Sequence, residues 1–126
     1  MPRKVLMVDD EPDFVEATKM LLEARGFEVI PAYDGEEGLR KAREERPDAI
    51  ILDVMMPGMD GYQACAKLKA DPELRTIPVL LLTAVGSRIS ETRYTKEMGM
   101  RTEAEDYIPK PVDPEELVRR VSALLE

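Results

Sequence analysis

Acidic, hydroxyl and basic side chains stand at the ends of four short apolar runs in this sequence. Asp9 and Asp10 follow the first run, Asp53 ends a later one, and Thr83 and Lys110 end two more. Three carboxylates that come close together repel one another, and a hard divalent cation such as Mg²⁺ relieves this repulsion because it prefers oxygen ligands. A lysine is a compact charge that suits a phosphate. The set therefore indicates phosphoryl transfer, in which positioning and charge neutralisation supply the catalysis.

The elements that must position these residues are predicted by an alternation of apolar runs with helical patterns. Continuous apolar runs are typical of strands in a parallel sheet that is covered by helices on both faces. Five such strands are predicted at 4–10, 27–33, 48–53, 77–84 and 104–110, and five helices alternate with them, the fourth at 87–99 and the fifth at 113–126. We therefore predict a doubly wound α/β fold, (βα)5, with a five-stranded parallel sheet in the flavodoxin-like order 2-1-3-4-5.

This strand order places the functional side chains together. Ligands of such sheets bind outside the carboxyl ends of the strands, where the direction of winding reverses. Strands one and three are neighbours in this order, so we expect Asp9, Asp10 and Asp53 to converge on one patch. Thr83 and Lys110 end the next two strands and are expected at the same edge.

Several helix ends are also marked in the sequence. Asp10, Asp34 and Asp113 are predicted to cap the first, second and fifth helices, since an aspartate side chain can accept a hydrogen bond from a free backbone N–H group. Pro12 suits the first turn of the first helix, and Gly26 is predicted to end it.

The composition limits the kind of protein. The 126 residues fit one domain, which we predict to span residues 1–126. A formal net charge of −8 argues against direct binding to nucleic acid or anionic lipid. The chain has no histidine and one cysteine, Cys65, which excludes a histidine zinc site and a Ser-His-Asp triad. Neither a signal peptide nor a membrane-inserted segment is indicated, so we predict a cytoplasmic location.

Four segments of the sequence are together typical of one family. They are VDDEP at 8–12, LDVMMPGMDG at 52–61, LLTA at 81–84 and DYIPKP at 106–111. With these segments, and over nearly its whole length, the chain resembles the receiver domain of two-component response regulators, in particular single-domain regulators similar to the chemotaxis regulators. The resemblance implies a phosphorylation-dependent signalling switch rather than an enzyme that turns over an external substrate.

The resemblance implies a role for most residues at the predicted edge. Asp53 is implied as the phosphoacceptor, which takes a phosphoryl group from a phosphohistidine on a sensor histidine kinase or a histidine phosphotransfer protein. Mg²⁺ is the implied cofactor, held by Asp10, Asp53 and the backbone carbonyl of Met55, with Asp9 acting directly or through a water. Lys110 is implied to pair with the aspartate and then with the phosphoryl oxygens.

A switch is implied as well. Thr83 is expected to hydrogen-bond to the phosphoryl group, and its movement opens space that Tyr107 fills by turning inward. The surface formed by helix four, strand five and helix five is then expected to change and to control a downstream protein target.

Three further residues are implied to shape the backbone around the site. Pro57 and Gly61 are expected to form a turn that leaves Asp53 exposed at the tip of a rigid buried strand. The peptide bond before Pro111 is expected to be cis, which proline permits at low cost.

The sequence departs from the family pattern in two places. The segment Gly99–Tyr107 is longer than usual, which indicates either a tolerated loop insertion or an altered partner surface. Val112 stands where phenylalanine is common, which weakens the case for dimerisation through this face, and we expect a monomer or a weak dimer.

Two other functions remain open on the sequence. One is a pseudo-receiver, a scaffold that never accepts phosphate. The other is a Mg²⁺-dependent phosphohydrolase with an aspartyl nucleophile, although such enzymes usually carry a second acid two residues after the nucleophile, where this chain has Met55.

Overall fold

The structure is a computed structural model that describes residues 3–83, 104–110 and 112–125. Its elements in chain order are β1 (Lys4–Val8), α1 (Pro12–Ala24), β2 (Glu28–Ala32), α2 (Gly35–Glu45), β3 (Ala49–Asp53), α3 (Gly61–Ala70), β4 (Val79–Thr83), β5 (Asp106–Pro109) and the C-terminal helix α4 (Pro114–Leu124). The helix predicted at 87–99 lies outside the described residues, so α4 corresponds to the predicted fifth helix. None of the described helices has the length and apolar character needed to span a membrane.

The five strands form one sheet in the order β2-β1-β3-β4-β5, and every neighbouring pair is parallel. This order confirms the prediction of a doubly wound, flavodoxin-like sheet. Strands β1 and β3 lie side by side, with Val8 opposite Leu52. Asp53 is in register with Leu82, and Thr83 with Pro109. The carboxyl ends of four adjacent strands therefore meet at one edge of the sheet.

Helices cover both faces of this sheet. On one face α1 and α4 pack against a core that includes Met7, Ile51 and Leu82. On the other face α2 and α3 pack against a core that includes Leu52 and Leu81. The residues of β3 are buried throughout, because successive side chains of a central strand point into opposite cores. This explains why the strands read as continuous apolar runs in the sequence.

The predicted caps are confirmed for two helices and wrong for a third. The side chain of Asp34 accepts a hydrogen bond from Glu37 at the start of α2, and that of Asp113 accepts one from Glu115 at the start of α4. Helix α1 instead begins after Glu11, whose side chain makes no capping hydrogen bond. Asp10 lies one residue too early to cap this helix, since Pro12 is its first residue.

A buried lysine fixes the start of β5. The Nζ of Lys69 at the end of α3 donates to the backbone oxygens of Arg75 and Ile77, at 3.1 and 3.0 Å, and lies 3.0 Å from both carboxylate oxygens of Glu105. Glu105 also accepts a hydrogen bond from the backbone N–H of Val79 and donates its own to the carbonyl of Val79. We call this set of contacts the Lys69–Glu105 clamp. It sets the register of β5 against β4 one residue before the ladder begins.

Replacing Lys69 by Met is expected to lower the free energy of unfolding by about 2 kcal/mol, because two carbonyl groups lose this donor and the Glu105 carboxylate loses its positive partner. Urea denaturation at pH 7 measures this change. Lys67→Met is the matched control, since Lys67 is an exposed lysine on the same helix, and it is expected to change stability by less than about 0.5 kcal/mol. Equal effects of the two substitutions would contradict the role of the clamp.

Candidate functional site

Three carboxylates meet at the carboxyl ends of β1 and β3. Asp9 and Asp10 follow β1, and Asp53 is the last residue of β3. One oxygen from each of the three lies within 4.8 Å of the others. Asp9 and Asp53 are buried, and Asp10 is exposed. The arrangement results from the parallel pairing of β1 with β3, which brings both strand ends to the same height.

Lys110, directly after β5, reaches over this group. Its Nζ lies 3.0 Å from Oδ2 of Asp9 and 3.4 Å from Oδ1 of Asp53. It also lies 2.8 Å from Oε1 of Glu11. The Lys110 backbone is anchored by a 2.7 Å hydrogen bond from its N–H to the carbonyl of Thr83. One cation is therefore shared among three acids at the edge of the sheet.

The charges at this site are strongly perturbed. The pKa of Asp53 is raised to about 7, mainly by burial and also by the nearby charge of Asp9, while Lys110 opposes the shift. Burial also raises the pKa of Asp9, against the lowering effect of a hydrogen bond from the Glu11 N–H and of Lys110. Burial on its own lowers the pKa of Lys110, but its contacts with Glu11, Asp9 and Asp53 outweigh burial and leave the pKa raised. Without further positive charge, the pocket disfavours the simultaneous ionisation of Asp9 and Asp53.

The donor set of this pocket fits a divalent metal ion. The Oδ2 atom of Asp9 is buried and has no hydrogen-bond partner among the described residues, where it meets Lys110 as an ion pair. A buried carboxylate oxygen of this kind calls for additional positive charge. Together with the oxygens of Asp10 and Asp53, it offers the hard oxygen ligands that Mg²⁺ prefers. These three residues are the acids that the sequence analysis assigned to Mg²⁺.

The segment 54–60 holds the tip of β3 in place. The N–H of Gly61 donates to the carbonyl of Val54 at 2.9 Å. A Cβ atom on Gly61 would lie 2.4 Å from the backbone oxygen of Asp53, so only glycine allows α3 to begin this close to the strand. Asp60 and Gln63 form a reciprocal capping box at the start of α3. Pro57 lies in this segment and is exposed.

The expectation that this turn leaves Asp53 exposed is wrong. The residue is only 2 % exposed. The physical reason is that Lys110 reaches across the end of β3 to within 3.4 Å of the carboxylate, while Asp9, which follows the neighbouring strand β1, lies close by. The carboxylate is thus enclosed by charged neighbours rather than open to water.

The other predicted residues lie around this pocket. Thr83 is half-buried at the end of β4. Tyr107 is half-buried in β5 and packs against the core on the α2 and α3 face. Met55 is 60 % exposed, and its backbone N–H donates to Oδ1 of Asp53 at 3.4 Å. Pro111, and with it the expected cis peptide bond, lies outside the described residues.

Two contacts of the site were missed by the sequence analysis. Glu11 forms the shortest ion pair of Lys110, and the ring centroid of Phe14 lies 5.2 Å from its Nζ. The signal for Glu11 was present, since it is the third acid of the run Asp9–Glu11. A glutamate at the start of a helix is usually solvated, so this signal alone does not indicate a contact with Lys110.

Comparison with known proteins agrees with this arrangement. The family model described as "Response regulator receiver domain" matches residues 5–122. PilH of Pseudomonas aeruginosa is 38% identical over 122 residues, which cover 97% of each chain. PhoP of Bacillus subtilis, an alkaline phosphatase synthesis transcriptional regulatory protein, is 42% identical over 125 residues, which cover 99% of this chain and 49% of PhoP. The chain therefore spans about half the length of PhoP and nearly all of PilH.

A solved structure shows the same fold. Chemotaxis response regulator CheY4 of Vibrio cholerae superimposes with a TM-score of 0.86 at 34% sequence identity, covering 99% of this chain and 100% of that one. The parallel sheet with three acids and a lysine at its carboxyl edge thus defines a receiver domain of two-component systems. The chain belongs to the response regulator receiver domain family, a family of signalling proteins rather than classical enzymes.

Proposed function

We propose that this protein is a phosphorylation-dependent signalling switch with Asp53 as the phosphoacceptor. The observation that carries the proposal is the cluster of Asp9, Asp10 and Asp53 with Lys110 ion-paired to it at the edge of a rigid sheet. The phosphoryl donor is a phosphohistidine on a sensor histidine kinase or on a histidine phosphotransfer protein. The family membership supports this donor class.

In the transfer step, a carboxylate oxygen of Asp53 forms a bond to phosphorus while the P–N bond of the donor phosphohistidine breaks. The electron pair of that bond leaves with the imidazole, which takes up a proton. Asp53 must be ionised to attack, and Lys110 favours this form by its positive charge. Lys110 then lies within reach of the new phosphoryl oxygens, and Thr83 stands at the end of the adjacent strand β4 to donate a hydrogen bond.

Asp10, Asp53 and the backbone carbonyl of Met55 would hold Mg²⁺, with Asp9 contributing directly or through a water. The bound ion supplies neutralisation of the charge shared by the carboxylates and the phosphoryl oxygens. The burial of Asp9 and Asp53 supports this assignment, because buried acids of like charge need a counter-ion.

The proposed signal to a downstream protein depends on two residues that lie on neighbouring strands. Thr83 ends β4, and Tyr107 lies in β5 two positions before Pro109, the partner of Thr83 in the ladder. Movement of Thr83 towards a phosphoryl group would open space beside Tyr107, whose ring turns inward. The surface around β5, α4 and the predicted fourth helix then changes its affinity for a downstream protein.

Intact-mass measurement after incubation with acetyl phosphate tests the proposal. With Mg²⁺ the protein is expected to gain one phosphoryl group, about 80 Da, and with EDTA it is expected to gain none. No gain in either condition would indicate the pseudo-receiver. Continuous release of inorganic phosphate, at a rate that persists over many turnovers, would indicate the phosphohydrolase.

The affinity for Mg²⁺ is expected to weaken as the pH falls from 8 to 6. In the metal-free protein the pKa of Asp53 is about 7, so below this pH a proton must leave before the ion can bind. For one competing proton the apparent dissociation constant rises by about tenfold per pH unit below 7. Isothermal titration calorimetry at pH 6, 7 and 8 measures the effect. An unchanged affinity over this range would contradict the raised pKa.

A further inference from the structure

The ammonium group of Lys110 lies at unequal distances from its three acidic neighbours. Its nearest carboxylate oxygen belongs to Glu11, at 2.8 Å, whereas the distance to Asp9 is 3.0 Å and that to Asp53 is 3.4 Å. The proposed phosphoacceptor is therefore the most distant of the three partners. The side chain of Glu11 is also 63 % exposed, whereas those of Asp9 and Asp53 are 0 and 2 % exposed.

The backbone holds Glu11 in position for this contact. Glu11 occupies the N-cap position of α1, and its N–H donates to Oδ1 of Asp9 at 2.9 Å. Its side chain makes no capping hydrogen bond, so its carboxylate is available to Lys110. Phe14, three residues further along α1, lies with its ring centroid 5.2 Å from the same Nζ. The start of α1 thus forms one side of the lysine site.

We infer that Glu11 is a positioning residue that holds Lys110 back from Asp53 until a phosphoryl group is present. This inference rests on the proposed function. A lysine has three N–H donors, and in this structure it faces three carboxylates. A phosphoryl group on Asp53 adds oxygens that carry more negative charge than a carboxylate. Of the three existing contacts, that to the exposed Glu11 costs least to exchange for these oxygens, because water takes the place of Lys110 at its carboxylate.

Replacing Glu11 by a neutral residue is therefore expected to affect the binding of a phosphoryl group and the binding of Mg²⁺ differently. Removing the charge of Glu11 frees Lys110, so a phosphoryl group or its analogue is expected to bind more tightly. The same substitution removes a negative charge from the neighbourhood of the metal ligands, so Mg²⁺ alone is expected to bind no more tightly than before. A variant that merely disturbed the site would weaken both.

Titration with beryllofluoride, a phosphoryl analogue, at saturating Mg²⁺ tests the inference in the full chain by ¹⁹F NMR. For Glu11→Gln the affinity for beryllofluoride is expected to rise by about twofold to fivefold, the range for one partly exposed ion pair. A parallel titration with Mg²⁺ alone is expected to show an equal or lower affinity. Glu16→Gln, which removes an exposed acid from the same helix, is the matched control and is expected to leave both affinities unchanged.

A spectroscopic measurement tests whether Glu11 determines the position of Lys110 rather than the stability of the fold. The ¹⁵N resonance of the Lys110 ammonium is expected to shift in Glu11→Gln without ligand and to differ little between the two proteins with beryllofluoride bound. If beryllofluoride binds the wild type and Glu11→Gln with equal affinity, the inference is wrong and the proposed function stands. If the wild type shows no Mg²⁺-dependent binding, both are wrong.

Discussion

Replacing Asp53 by Asn is expected to abolish the gain of a phosphoryl group from acetyl phosphate while the fold remains intact. The amide has the same shape as the carboxylate, but it lacks the negatively charged oxygen that must bond to phosphorus. The neighbouring acids cannot take over this role. Asp9 lies nearer to Lys110 than Asp53 does, at 3.0 Å against 3.4 Å, and Asp10 extends from the loop after β1 rather than from the tip of β3. Intact-mass measurement in the presence of Mg²⁺ gives the result directly.

The same substitution is expected to stabilise the metal-free protein at alkaline pH. Folding raises the pKa of Asp53 from 3.8 to about 7, so the native state disfavours the charged form. This penalty is absent below pH 4, where the carboxyl group is protonated in both states, and it grows as the pH rises to 7. At pH 8 the penalty is fully present, and Asp53→Asn is expected to raise the free energy of unfolding by about 2 kcal/mol.

Urea denaturation in EDTA at pH 8 and at pH 4.5 measures this effect, which is expected to be large at pH 8 and small at pH 4.5. Glu44→Gln provides a control, since Glu44 is an exposed acid on α2, remote in sequence from the site. Phosphoryl incorporation into Asp53→Asn at the wild-type rate would refute the assignment of the phosphoacceptor. A lower free energy of unfolding for Asp53→Asn than for the wild type at pH 8 would contradict the raised pKa of Asp53.

Gly61→Ala is expected to have the largest structural effect of any single methyl group added near the site. A Cβ at this position would lie 2.4 Å from the backbone oxygen of Asp53 and 2.7 Å from Cα of Val54. Backbone atoms of a central strand cannot move aside cheaply, so α3 must shift or β3 must bend. We expect a loss of about 3 kcal/mol in the free energy of unfolding. We also expect phosphorylation by acetyl phosphate to slow by about tenfold to a hundredfold, because the carboxylate of Asp53 is displaced.

Gly58→Ala is the matched control within the same segment. Gly58 has a positive φ of 77°, but a Cβ there would meet nothing within 4 Å. The substitution therefore adds only the strain of a left-handed residue, about 1 kcal/mol. Urea denaturation and the rate of phosphoryl incorporation should both separate the two variants. If Gly58→Ala proved as harmful as Gly61→Ala, conformational strain rather than close approach would explain the requirement for glycine.

The fold could be predicted because its signals are local. Continuous apolar runs such as Ala49–Leu52 mark strands that are buried on both faces, and the alternation with helices leaves few ways to order a parallel sheet. The order of the strands then places Asp9, Asp10 and Asp53 together, as the structure shows. The convergence of the acids thus required no knowledge of side-chain conformation.

The details of the site could not be predicted, because they depend on contacts between distant parts of the chain. Glu11 and Lys110 are 99 positions apart, and nothing in either local sequence indicates that their side chains meet. The burial of Asp53 was missed for the same reason, since it depends on where Lys110 lies. The cap of α1 was misplaced by one residue, because Asp10 and Glu11 are both acids and only the backbone geometry distinguishes them.

The Lys69–Glu105 clamp has a consequence for how the chain tolerates insertions. It fixes β5 from the side of α3 and β4, using contacts that lie before the strand begins. The register of Tyr107 and the placement of Lys110 therefore do not depend on the number of residues between 84 and 103. A longer or shorter sequence there is expected to leave the proposed phosphoryl chemistry as it is, so this is a part of the chain that evolution or an engineer can vary.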